Sequence, residues 1–132
     1  MNLIKSWLSV GGLLAAGVFA VSAFAAVPLK DNSEIVGVWL LESVALGLDK
    51  PRITENRTWE FRADGTIVTS GFNRHFGRDD TQTVKYEVAD GKIKAENPGR
   101  PGKTLDYVVH EKSGDTMILQ GGLEGFYFFK KK

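Results

Sequence analysis

After residue 34, tight turns and longer links alternate along this chain. Ala63-Asp64-Gly65, Ala89-Asp90-Gly91 and Ser113-Gly114-Asp115 are short and rich in turn formers, whereas the links at 44–56, 72–81, 97–103 and 121–125 are longer. In a meander of antiparallel strands, successive connections fall at opposite ends of the sheet. One end therefore receives every tight turn and the other every long link. The alternation predicts a cup with a floor and a mouth, and it marks the mouth as the end where a partner enters. Asp-Gly suits the floor because two-residue hairpin loops need positive φ at their central positions.

Period-two alternation of apolar and polar residues supplies the strands of that meander. In Thr83–Val88, the side chains of Val84, Tyr86 and Val88 point one way and those of Lys85 and Glu87 the other. Arg57–Arg62 repeats the pattern with Trp59 and Phe61, Lys92–Glu96 with Ile93 and Ala95, and Thr104–Lys112 with Leu105, Tyr107 and Val109. Val36–Val44, Thr66–Gly71, Thr116–Gln120 and Phe126–Lys130 complete the set. After the N-terminal segment no stretch carries a long helical period, and the one helical turn expected is a short one at Asn32–Ile35. The class is all-β. Such strands build a sandwich or a barrel. Sequential hairpins favour an eight-stranded antiparallel up-and-down β-barrel, because pairing the last strand with the first removes both sheet edges.

Residues 1–25 are set apart from the domain at 26–132. Lys5 is followed by an apolar run, and Ala23-Phe24-Ala25 places small residues before Ala26, as in a secretory signal peptide cleaved between Ala25 and Ala26. A retained anchor is the other reading, since an apolar run of about 20 residues can just span a bilayer. Cleavage predicts a periplasmic or secreted protein with no stable membrane span after processing. Of the 17 basic side chains only Lys5 is lost with that segment, so 16 remain against 16 acidic ones. A balanced charge argues against nucleic acid as a partner. The chain has no cysteine, so neither a disulfide nor a thiolate metal site contributes.

Gly37-Val38-Trp39 opening the first strand, Trp59-Glu60-Phe61 running into Asp64-Gly65-Thr66, Tyr86 before Asp90-Gly91, and the aromatic strand Phe126–Phe129 together resemble the small bacterial lipocalin-like domains. The resemblance covers nearly all of residues 26–132. It implies an eight-stranded up-and-down barrel in which Trp39 plugs the closed base. It also implies that Gly37 is small to clear the N-terminal segment at that end. By family habit, it further implies a small apolar or amphipathic ligand inside the barrel. The chain departs from full-length lipocalin carriers in being short and in lacking their helix after the barrel.

Candidate ligand-binding residues fall into two groups. Trp59, Phe61, Tyr86 and Tyr107 belong to the expected inward set, which also includes Trp39, Leu41, Ile67, Val84, Val88, Ile93, Leu105, Val109 and Leu119. The last strand adds either Phe126 and Phe128 or Tyr127 and Phe129. Eight strands enclose a space that side chains fill or that holds one small ligand. A buried tyrosine hydroxyl needs a partner, which a ligand or a backbone group provides. The second group is the mouth segment with Phe72, Arg74, His75, Phe76 and Arg78. Its aromatics would cover an apolar ligand and its guanidiniums would clamp an anionic end. Alternatively, the phenylalanines pin the loop and the arginines pair with Asp79 and Asp80. Leu46–Ile53 forms a candidate lid at the same rim, and an excess of two cations over the mouth links counted together with Arg57 hints at an anionic ligand.

His75 and His110 are the only histidines and lack metal-ligand spacing, so no metal or other cofactor is expected. No Gly-x-Ser-x-Gly or His-Glu-x-x-His motif occurs, and His75 with Asp79 or Asp80 is the sole acid–base cluster worth examining. The resulting expectation is an exported barrel that binds a small hydrophobic or amphipathic molecule, with an anionic one among the options, without turnover. The alternative is a protein-interaction module, an inhibitor or assembly partner, with a filled core and a contact surface on its mouth loops.

Overall fold

The computed structural model describes residues 26–132, and the proposed signal peptide lies outside the described residues. Each period-two segment forms a strand: β1 Gly37–Ala45, β2 Ile53–Phe61, β3 Thr66–Asn73, β4 Arg78–Ala89, β5 Lys92–Glu96, β6 Thr104–Ser113, β7 Thr116–Gly121 and β8 Gly125–Lys131. They pair antiparallel in sequence order, and β8 returns to pair with β1, closing the barrel. The expected architecture is therefore the observed one. Three of these strands reach further toward the mouth than expected: β2 begins at Ile53, β3 runs to Asn73 and β4 starts at Arg78. The physical reason is that their inner faces turn polar there, with Glu55, Arg57, Asn73 and Asp80, so apolar alternation ends before the strands do.

Inward placement depends on a β-bulge in β1. Leu41 pairs with Phe129 and Ser43 with Phe128, so Glu42 is an extra residue against β8; against β2, where Leu41 pairs with Arg57 and Ser43 with Thr54, the extra residue lies on β2 instead, beside Asn56 with its positive φ of 50°. The extra Glu42 returns Val44 to the same face as Leu41, and both are buried. On β8 the inward pair is Tyr127 and Phe129. Phe128 lies outside the core cluster, where the Arg52 guanidinium covers its ring at 3.7 Å. At the floor, Asp90 and Gly91 both adopt positive φ, 56° and 75°, as the hairpin chemistry predicts.

The floor half is packed solid. Trp39, Phe61, Ile67, Ile93, Val109, Met117, Leu119 and Phe129 are all buried there. The segment before β1 seals it from below. Val27 N–H donates to the Val109 carbonyl at 2.8 Å and Leu29 N–H to that of Gly91 at 3.1 Å. A 3-10 turn at Asn32–Glu34 follows, with Asp31 as N-cap, and it delivers Ile35 into the core. Trp39 closes the base as expected, its Nε1–H donating to the Ile35 carbonyl at 2.9 Å. The reason for Gly37 needs correction. Its φ is +140°, and a side chain there would strike the ammonium end of Lys131, not the N-terminal segment. That ammonium lies 4.6 Å from the centre of the Trp39 ring.

Candidate functional site: a two-sided cavity beneath the mouth

Above the packed floor the barrel encloses a cavity of about 370 Å³. Small-molecule sites run from about 300 to 1,000 Å³, so this one suits a small ligand. Its apolar side is built by Leu41 and Val44 of β1, Ala95 of β5, Leu105 and Tyr107 of β6, and Tyr127 of β8. Trp59 stands among the tyrosines, edge-on to Tyr107 at 6.1 Å and tilted to Tyr127 at 5.8 Å. Space for the rings comes from glycine. Tyr107 pairs with Gly121, whose φ is +136°, and a Cβ on Gly122 would collide with both the Tyr107 ring and the Tyr127 hydroxyl. That hydroxyl accepts the N–H groups of Leu123 and Glu124, each at 3.1 Å, and so fixes the β7–β8 turn. Burial pushes the Tyr107 phenol well above its ordinary pKa and raises that of Tyr127, so both present neutral hydroxyls.

The opposite wall, from β2, β3 and β4, is polar. Arg57 is buried and donates from Nη1 to the Gly71 carbonyl at 2.8 Å and from Nη2 to Thr69 Oγ1 at 3.0 Å. Its Nη2 also lies 2.7 Å from Asp80 Oδ1, an ion pair without an aligned hydrogen bond at that oxygen. Asp80 Oδ2 accepts from Asn73 Nδ2 at 3.0 Å and Gln82 Nε2 at 3.1 Å. Desolvation raises the Asp80 pKa, but the donors Asn73 and Gln82 and the Arg57 guanidinium outweigh it and leave the carboxyl below its usual range.

A polar strap crosses the mouth. In an eight-stranded ring the β3–β4 hairpin and the β7–β8 turn stand at opposite points of the rim. Arg74, on that hairpin, donates from Nε to Glu55 at 2.8 Å and from Nη2 to Glu124 at 3.1 Å. His75 Nε2 lies 2.9 Å from the same Glu124 carboxylate. Asn73 supports the hairpin tip by accepting the N–H groups of His75 and Phe76. At the rim the lining comes from His75, Phe76, Leu123, Glu124 and Asn97–Gly99, and none comes from 46–52. The cavity therefore opens toward the β5–β6 link, and the expected lid at Leu46–Ile53 stands aside from it.

Of the residues singled out in the sequence, Trp59, Tyr107, His75 and Phe76 line the cavity. Phe61 and Tyr86 lie below it in the floor packing, edge to face at 5.7 Å. The Tyr86 hydroxyl donates to the Arg62 carbonyl at 3.0 Å, the backbone option. Phe72 is on the outer face of its strand, and neither Arg74 nor Arg78 lines the cavity. The anion clamp is not formed, because the Arg74 guanidinium is taken by two carboxylates and that of Arg78 lies 5.7 Å from the Phe76 ring centre. His75 meets Glu124, not Asp79 or Asp80, so the candidate acid–base cluster is not assembled. The polar wall of Arg57, Asp80, Gln82 and Asn73 was missed. It was signalled by continuing the inward alternation from Tyr86 through Val84 to Gln82 and Asp80, and from Trp59 to Arg57 and Glu55. Among the described residues no group of three or more His, Cys, Asp or Glu is placed to hold a metal ion.

No protein-family model matches the chain, and no curated protein does. Among solved structures, the chain is similar to a lipocalin-like protein from Bacteroides uniformis, with a TM-score of 0.57 and 18% identity. The match covers 75% of this chain and 99% of the other. The fold is thus that of a lipocalin-like barrel, as the sequence motifs suggested.

Proposed function

We propose that this chain is an exported carrier that holds one small amphipathic molecule in the mouth half of its barrel without chemical turnover. The observation that carries the reading is the cavity of about 370 Å³, with aromatic and aliphatic side chains on one wall and a polar network built around the Arg57–Asp80 ion pair on the other. An apolar ligand face fits against Leu41, Leu105, Tyr107 and Tyr127. Its polar edge faces Thr69, Gln82 and Arg57. Because the lining arginine, Arg57, is paired with Asp80, and Arg74 at the rim is held by Glu55 and Glu124, the cavity favours a neutral polar group over an acidic one. Export rests on the character of residues 1–25, and the periplasm or the medium is the corresponding location.

Titration with N-phenyl-1-naphthylamine, a neutral probe that brightens in apolar sites, tests the reading. One probe per chain is expected, with quenching of Trp59. Ala95→Phe, which fills the cavity from a buried position, should weaken binding at least about tenfold while leaving the fold intact. No binding, or equal binding to the filled variant, would place any ligand elsewhere.

A further inference from the structure

Eight large hydrophobic side chains are exposed among the described residues, and six of them stand at the mouth. Leu46 and Leu48 lie on the β1–β2 link, Ile53 opens β2, Phe72 and Phe76 belong to the β3–β4 hairpin, and Leu123 tips the β7–β8 turn. Each is between 45% and 81% exposed, whereas Val27 and Val38, toward the floor, are 39% and 37% exposed. The floor turns carry Asp64, Asp90 and Asp115 instead. Single apolar residues scattered over a surface are ordinary. Their gathering at one pole marks a contact surface.

Charge indicates the kind of contact. At this pole Glu55 and Glu124 share the single charge of Arg74, which leaves one negative charge over, and Arg57 balances Asp80. Lys50, Arg52, Arg78, Arg100 and Lys103 have no carboxylate within ion-pair distance among the described residues, against two unpaired acids, Asp49 and Asp79. Apolar tips on separate loops around an opening, interspersed with free cations, match a plane of anionic headgroups. The tips insert at the acyl boundary while the cations meet phosphates. A folded protein partner would need one continuous complementary face, and the cavity opening interrupts it.

We propose that the mouth end is a peripheral docking surface for an anionic lipid bilayer, seating the cavity opening on the membrane. This goes beyond ligand binding, since the crown would dock whether or not the cavity is occupied.

Because the chain has no cysteine, a single introduced thiol reports one place. Leu46→Cys at the crown, outside the cavity lining, and Asp64→Cys at the floor would each carry an environment-sensitive dye, on the protein as recovered from an expressing cell. With vesicles of equal parts phosphatidylglycerol and phosphatidylcholine, the crown dye should shift to the blue and the floor dye should not. Replacing Lys50, Arg100 and Lys103 by Ser should weaken partitioning about fivefold per cation removed, and raised salt should act in the same direction. A shift at Asp64→Cys instead would overturn docking through the mouth, because a retained N-terminal segment leaves from the floor and would seat that end. Absence of a shift at both positions overturns it as well. A crown dye that responds only to a co-purifying polypeptide would assign the surface to a protein partner. None of these outcomes alters the probe titration of the cavity, so docking and ligand binding fail separately.

Discussion

Trp39 is held from three directions: its indole N–H bonds the Ile35 carbonyl, the Lys131 ammonium lies over its ring, and the floor core surrounds it. Replacing it by Ala should cost roughly 3–5 kcal/mol, the usual range for deleting a large buried aromatic. Denaturant midpoints measure this, and a loss under about 1 kcal/mol would mean that the floor repacks without it. Asp80 gives a second prediction, with a defined sign. Its pKa is lowered in the folded state, so its contribution is present above the ordinary carboxylate value near 4 and is lost as pH falls through the folded value. Asp80→Asn leaves Arg57 without its counter-charge. The variant should be less stable than the parent at pH 7, and the gap should narrow below about pH 4. A gap that stays constant with pH would show that the carboxylate charge does not matter.

At the scale of elements, what was legible followed from turn chemistry and apolar alternation. Asp90-Gly91 identified a floor hairpin because few residue pairs accept positive φ twice, and Trp59 and Tyr107 were placed inward by their period. The mouth ends of β2, β3 and β4 were not legible in that way. Arg57, Asp80 and Gln82 face inward where a hydrophobic criterion expects an apolar residue, and their compatibility with the interior depends on one another. Arg57 is tolerable there because Asp80, 23 positions along the chain, meets it across the sheet. No local window contains such a pair. The same holds for Arg74, whose acidic partners are Glu55 and Glu124 and not the adjacent Asp79 and Asp80. The β8 register was open in the sequence because Phe126–Phe129 is aromatic on both faces. It is settled by Arg52, which shelters the outward Phe128.

At the scale of the molecule, the bulge at Glu42 has a consequence that reaches all eight strands. In an open sheet a register offset runs out at an edge. In a ring, the offsets around the circumference must sum to a fixed shear, so a residue added to or removed from one strand cannot be forgotten by its neighbours. Deleting Glu42 therefore offers the barrel two poor outcomes. Either Val44 turns outward and a polar neighbour inward, or β1 slides and every pairing from β2 round to β8 must shift to keep the ring closed. Removing Gly47 from the exposed β1–β2 link imposes no such condition, because a link carries no register. The first deletion should abolish cooperative unfolding or lower the midpoint severely, and the second should move it little. Two deletions five positions apart in the chain would thus differ because one enters a closed sum and the other does not.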